Sequence, residues 1–484
     1  MKGIKTILLL FVAFILAFVS TSLSSSVEWT IHEMAMADHA RGDLAILDDP
    51  PLYEIKVEID PAKLNFKGHM QVVITNNEGV TLREIYLRLY PNGQKIYGRN
   101  ALLEVTEVRM EGQQVQPTLE VEGTALRVPL PRPLAPEESV VMSLSFEGTV
   151  PEDFEGGYGI YNYAEGVMCL ANWYPILAVF DEEGWNLDPV LGWGDAVYSD
   201  IGLYEVMITV PSTTVVVASG TKIETISIGN EGKATHFYVS GPMRDFFIIL
   251  GEFEVKSEVV GETVVNSYFK TKGEKALLIA SKALEIFNLR FGAYPYVELD
   301  IVEAPLFFAG GVEYPGIILI SEKLYSSQEI WFDIVISHEV AHQWWYNVVG
   351  NDVIDEPWLD EALATYSSAI YIEEALGKEQ FKETLGSWRM AYRQAKAQVK
   401  PGVTITSSLY EFPQWRGYTP IVYFGGALFY QALREEIGDE AFYESLKSYY
   451  QRFKYRIAST LELLEVFEET SGKHLGELYE KWLF

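Results

Sequence analysis

The hydrophobic pattern of this chain changes period near Gly273, and one architecture cannot serve both sides of that point. From about Pro51, Tyr53, Ile55, Val57 and Ile59 alternate with Glu54, Lys56, Glu58 and Asp60. Period two sends successive side chains to opposite faces, so this segment is a strand with one buried face. The pattern recurs at Ile85-Leu87-Leu89, Met142-Leu144-Phe146 and Tyr204-Val206-Ile208-Val210. Turn signals separate these strands, at Pro91-Asn92-Gly93, over 131–136 and at Ser219-Gly220. Beyond Gly273 the period becomes helical. One helix is expected over 274–291, short strands over 297–302 and 317–320, and long helices from Ser326 to Phe484. The expected class is α+β and multidomain, since 484 residues exceed one ordinary core. A sandwich-like β-rich domain over 27–255 precedes a mostly helical domain over 256–484.

Residues 1–26 read as a signal peptide or N-terminal anchor. Lys2 and Lys5 precede an apolar run over 7–19, which small residues follow (Ser20-Thr21-Ser22-Leu23-Ser24-Ser25-Ser26). The run is short for a spanning helix. The expected location is extracytoplasmic, secreted or membrane-anchored. The formal net charge of −31 repels phosphate backbones, so nucleic-acid partners are not expected. The single cysteine, Cys169, permits no intramolecular disulfide and no cysteine-based metal site.

Only seven histidines occur, yet two fall in His338-Glu339-Val340-Ala341-His342, an H-E-x-x-H sequence. Ser326 with Glu329 forms a capping-box signature and Gly350 a stop, so a buried helix is expected between them. On a helix, residues four apart share a face, and both imidazoles converge on one ion. Glu339 lies one step round, within reach of a water rather than of the ion. The competing interpretation is a merely structural pair of helix histidines. It weakens downstream, where Asp355-Glu356-Pro357-Trp358-Leu359-Asp360-Glu361-Ala362 opens a second helix with Pro357 in its first turn. Glu361 follows His342 after eighteen residues and is the candidate third ligand of a single Zn2+ ion with one open position. Asp360 is read as a supporting or surface carboxylate. His32 and His39, in the aperiodic lead-in, are not expected to ligate.

That ligand spacing resembles the aminopeptidase N and leukotriene hydrolase family of gluzincins. The surroundings are similar too, at Val335-Ile336-Ser337 before the first histidine and at Trp358 to Tyr366 around Glu361. Gly310-Gly311-Val312-Glu313-Tyr314 stands where that family carries its G-x-M-E-N exopeptidase motif. Tyr418-Thr419-Pro420-Ile421-Val422-Tyr423 is similar to the segment bearing its catalytic tyrosine. The resemblance covers about residues 295–435 strongly and the β half weakly. It implies a saddle-like N-terminal domain and a thermolysin-like catalytic domain. It also implies an aminopeptidase acting on peptides with a free N-terminus. Glu339 would be the general base, Tyr423 would stabilise the oxyanion, and Glu313, with Gly310 and Gly311, would bind the substrate end.

The chain departs from the pattern at Val312 and Tyr314, which replace Met and Asn. No clear second amine-binding residue stands near Asn172. The large C-terminal helical domain of many members has no counterpart, so a more open cleft is expected. Two rival functions follow: an endopeptidase using the same site, or a secreted binding protein without turnover.

Overall fold

Strand β1 (Leu52–Asp60) buries Tyr53, Ile55, Val57 and Ile59, the apolar set of the alternation. It pairs antiparallel with β2 (Asn65–Thr75), which pairs antiparallel with β3 (Ser139–Thr149). It also pairs in parallel with β4 (Leu203–Pro211), inside an eight-stranded sheet. Between β2 and β3 the register sets Phe66 opposite Gly148 and Gly68 opposite Phe146. A β-carbon at either glycine would fall within the opposing ring, so each phenyl lies over backbone that only glycine leaves clear. Trp173 packs against both rings, with centroids 6.1 and 6.0 Å away, and donates its indole N–H to the Phe246 carbonyl at 2.9 Å. Truncating Phe66 to Ala in such a core costs about 3–5 kcal/mol. Two four-stranded sheets and a two-stranded one also belong to this β-rich part.

The computed structural model describes residues 29–152, 157–229, 232–327 and 329–484, so the expected signal or anchor over 1–26 lies outside the described residues. The fold described is that of the unit His32–Phe484. Among the described residues no helix is long and apolar enough to cross a membrane.

A mixed five-stranded sheet begins at β5 (Glu254–Val260). It continues through β6 (Thr263–Phe269), β7 (Glu298–Ala304), β8 (Gly311–Tyr314) and β9 (Ile317–Ser321), in the order β5-β6-β7-β9-β8. The parallel pair β6/β7 needs a crossover, and helix α1 (Glu274–Arg290) supplies it. β8 is left at the sheet edge, antiparallel to β9 across a turn containing Gly316 at φ +73°.

Helix α2 (Ile330–Ala341), apolar except at Asp333, Ser337, His338 and Glu339, packs against this edge, and α3 (Trp358–Tyr371), buried at every residue, packs against α2. The expected capping box does not form. Ser326 belongs to a short helix over Glu322–Ser327 and donates to the Lys323 carbonyl, and Glu329 caps α2 without a side-chain bond. α2 also stops at His342 rather than near Gly350. The longer helices that follow are α4 (Lys378–Lys396), α5 (Gly426–Ile437), α6 (Asp439–Phe453) and α7 (Thr460–Ser471). A β-carbon at Gly426 would fall on Ala362, so glycine there lets α5 approach α3 closely. The expected class, a β-rich part followed by a mostly helical thermolysin-like part, is the one observed.

Candidate metal centre

The two histidines of α2 meet the glutamate of α3. His338 Nε2 lies 3.1 Å from His342 Nε2 and 3.2 Å from Glu361 Oε2, and His342 Nε2 lies 3.6 Å from the same oxygen. Two donors bound about 2.0–2.1 Å from one zinc ion at the tetrahedral angle are about 3.3 Å apart. The three spacings bracket that value. His342 Nδ1 is 2.9 Å from the Trp345 carbonyl, and an N–H donating there leaves the Nε2 lone pair facing His338 and Glu361. Glu361 Oε2 is buried and makes no well-directed hydrogen bond. Two imidazole nitrogens and an orphaned carboxylate oxygen, converging at this spacing, fit a zinc ion. Neither His32 nor His39 belongs to the group; His32 is buried elsewhere, 2.7 Å from the Ser240 carbonyl.

Glu339 sits one residue past His338, with a carboxyl oxygen within 4.8 Å of a ring nitrogen of each histidine. Its other neighbours are Gly311 and Glu313 of β8. Burial pushes the Glu313 carboxyl above the usual carboxylate range. Burial pushes Glu339 further up, and the charge of Glu313 adds to it. Glu361 goes the other way: burial opposes its charge, but the two imidazoles outweigh burial and hold it well below that range.

Tyr423 comes from a π-helical turn, Pro420–Gly425, a form that recurs at functional sites. Its ring stacks on His338 at 5.8 Å, and its hydroxyl donates to Glu361 Oε1. Gly310, Gly311, Glu313, His338, Glu339, Glu361 and Tyr423 line one cavity of about 470 Å³, while His342 is fully buried behind them. Asp360 is neither a ligand nor a surface group. It is buried and accepts from the Glu361 N–H at 2.9 Å and from Asn351 at 3.1 Å. Burial and the Glu361 charge push it up to about 8.

Several residues here escaped the sequence. Asp195, in an aperiodic loop of the β-rich part, lines the same cavity; burial, then Glu313 and Glu361, raise its carboxyl well above the ordinary range. Gln343 follows the second histidine and ties the β8–β9 turn to α2, donating to the Tyr314 carbonyl at 2.9 Å and accepting from Gly316 N at 2.8 Å. Tyr314 stacks on Phe247 at 4.0 Å, which gives the departure from asparagine a packing role. Asn172 reaches the cavity wall but is engaged by Tyr97 at 2.6 Å and Asp245 at 3.0 Å.

Residues 275–482 match the family model of the Peptidase family M1 domain. Aminopeptidase M1-B of Oryza sativa subsp. japonica is 29% identical over 273 residues, covering 51% of this chain and 30% of that protein. Endoplasmic reticulum aminopeptidase 2 of Homo sapiens is 23% identical over 356 residues, covering 69% of this chain and 36% of that protein. The chain thus spans about a third of the length of these curated relatives. The M1 zinc metallopeptidase from Deinococcus radiodurans superimposes with a TM-score of 0.66 at 22% identity, over 90% of this chain and 94% of that one. At that identity the likeness speaks for the fold. The chain has the M1 fold, with the M1 catalytic domain over 275–482.

Proposed function

We propose that the chain is a zinc-dependent metallopeptidase that removes residues from the free N-terminus of peptides. One observation carries this reading: four carboxyl side chains, Asp195, Glu313, Glu339 and Glu361, line a single cavity. Packed carboxylates stay ionised together only where positive charge joins them. The His338, His342 and Glu361 group takes a metal cation. Glu313, on the neighbouring strand edge, is left for a second cation, and a peptide's α-ammonium is the group of that charge that marks a chain end.

A zinc ion held by His338, His342 and Glu361 supplies Lewis acidity toward a water and a substrate carbonyl. Glu339 takes the proton that the water gives up and passes it to the departing amine. Tyr423, whose hydroxyl donates to Glu361 in the free protein, offers that proton to the oxyanion developing on the attacked carbonyl. Glu313 fixes the register by holding the ammonium one residue before the scissile bond. The open side of β8, at Gly310 and Gly311, lines the cavity, where an extended peptide lies alongside the strand.

The test is amino-acid release from a free peptide and from its N-acetylated form by zinc-loaded protein, with Glu339→Gln alongside. Trimming of the free peptide only, abolished in the variant, supports the reading. Internal cleavage of both peptides assigns an endopeptidase instead, and a folded, zinc-loaded protein inert toward both is a binding protein. We also propose that the chain works outside the cytoplasm, supported by the apolar run over 7–19 after Lys2 and Lys5. Recovery of the protein only from the cytoplasm of its source cell would overturn that assignment.

A further inference from the structure

A buried cation ties the turn after the metal helix to the β-rich part. Arg244 is 2% exposed and forms no salt bridge among the described residues. Its guanidinium instead donates to three backbone carbonyls: Nε to Tyr346 at 2.5 Å, Nη1 to Ser199 at 2.8 Å and Nη2 to Arg456 at 2.7 Å. The Arg244 carbonyl in turn accepts from the Ser199 hydroxyl at 2.7 Å, which anchors the residue within the β-rich part. A β-carbon at Gly350 would fall on the guanidinium, so the group is closed in from that side too.

Tyr346 has φ +130°, a strained conformation for a residue with a side chain. Such a conformation persists only where its surroundings over-determine it. Two bonds do so here: Tyr346 N donates to the Val349 carbonyl at 2.8 Å, and the Tyr346 carbonyl accepts from Arg244. The preceding carbonyl, Trp345, is the one that receives His342 Nδ1 at 2.9 Å. The clamped peptide and the one that orients the metal ligand are therefore consecutive. A rotation that frees the Tyr346 carbonyl also swings the Trp345 carbonyl away from the imidazole.

We propose that Arg244 is a positioning residue for His342, setting the tautomer and tilt of that imidazole through the strained Trp345–Tyr346 turn. The proposal rests on the zinc reading above. Partners that orient a ligating histidine typically change metal affinity by about 10–100-fold when removed. Lysine at 244 keeps the charge but lacks the planar fork that reaches three carbonyls at once. Gly350→Ala presses on the same guanidinium while keeping the Arg244 and His342 side chains.

The experiment measures zinc affinity by chelator competition for the wild type, Arg244→Lys, Gly350→Ala and Phe66→Leu, together with the thermal midpoint of each zinc-free protein. Phe66→Leu loosens the β-rich core away from the metal and controls for general destabilisation. Arg244→Lys and Gly350→Ala are expected to weaken zinc binding about tenfold or more, and Phe66→Leu to leave it unchanged. Lowered midpoints with wild-type zinc affinity in both variants would make Arg244 a structural clamp only and overturn the proposal. If Arg244→Lys fails to fold, Gly350→Ala decides by the same criterion. A wild type that binds no zinc would instead sink the metal reading itself, an outcome distinct from either.

Discussion

A β-carbon at position 311 would lie 2.5 Å from Glu339 Oε1 and 2.6 Å from Glu339 Cγ. Gly311 is thus the clearance into which the carboxyl beside the metal ligands fits. Gly311→Ala is expected to displace that carboxyl while leaving His338, His342 and Glu361 in contact. A displacement near 1 Å in a reacting group costs on the order of 100-fold in rate. The expected outcome is a kcat lowered by about that factor, with zinc content and thermal midpoint close to wild type. At Gly310 the nearest atom to an added β-carbon is Val335 Cγ2 at 3.2 Å, which has room to shift, so Gly310→Ala should be much milder. Equal effects of the two variants would remove the special role of Gly311.

Tyr423 offers a second, separable test. The hydroxyl contacts Glu361 and the ring stacks on His338, so Tyr423→Phe keeps the packing and removes one donor. Loss of a single oxyanion donor costs about 100- to 1,000-fold in kcat. The KM should stay close to wild type, because the donor acts on charge that develops only during reaction. A variant that raised KM alone would place Tyr423 in ground-state binding.

The parts of this chain that announced themselves were those with a period or a fixed spacing. The strand at 52–60 has one face in the core and one in solvent, so its alternation survives in the sequence. The metal site is legible because helical geometry converts a four-residue spacing into proximity. The rest depends on tertiary contacts that leave no local trace. β5 is exposed on both faces, so no hydrophobic period marks it and the β5–β6 hairpin could not be read. The end of α2 at His342 is set by Gln343 and the Trp345–Tyr346 turn, which bond to groups remote in sequence. Asp195 reaches the cavity from a loop more than a hundred residues before His338, without a motif.

Removing the metal should destabilise the folded state. Zinc at His338, His342 and Glu361 binds the native arrangement and not the dispersed ligands of an unfolded chain, so it stabilises by mass action. Free zinc at 100 times its dissociation constant adds about 2.7 kcal/mol. A chelator should therefore lower the thermal midpoint, and stoichiometric zinc should restore it. Glu361→Gln removes a ligand oxygen of full charge and should shrink that metal-dependent gain. A midpoint indifferent to chelator in the wild type would contradict the site.

Asp352 gives a pH dependence independent of the metal. It lies in the connection between α2 and α3, where Oδ1 accepts from Ile354 N at 2.9 Å and from Asp355 N at 3.0 Å. Burial, opposed by those two bonds, pushes its carboxyl from 3.8 up to about 6, and the charges of Asp355 and Asp188 add to the rise. Between pH 3.8 and about 6 the folded chain holds a proton that the unfolded chain has released. Stability from this group is therefore greatest below pH 3.8, falls as pH rises through that window, and is flat above about 6. Asn at this position still accepts both backbone bonds and carries no charge at any pH. Relative to wild type, Asp352→Asn should gain on the order of 1–2 kcal/mol at pH 7, with most of that gain gone at pH 4. Urea denaturation of both proteins at the two pH values measures it. A difference of the same size at both would mean that Asp352 ionises in the folded chain as it does in the unfolded one.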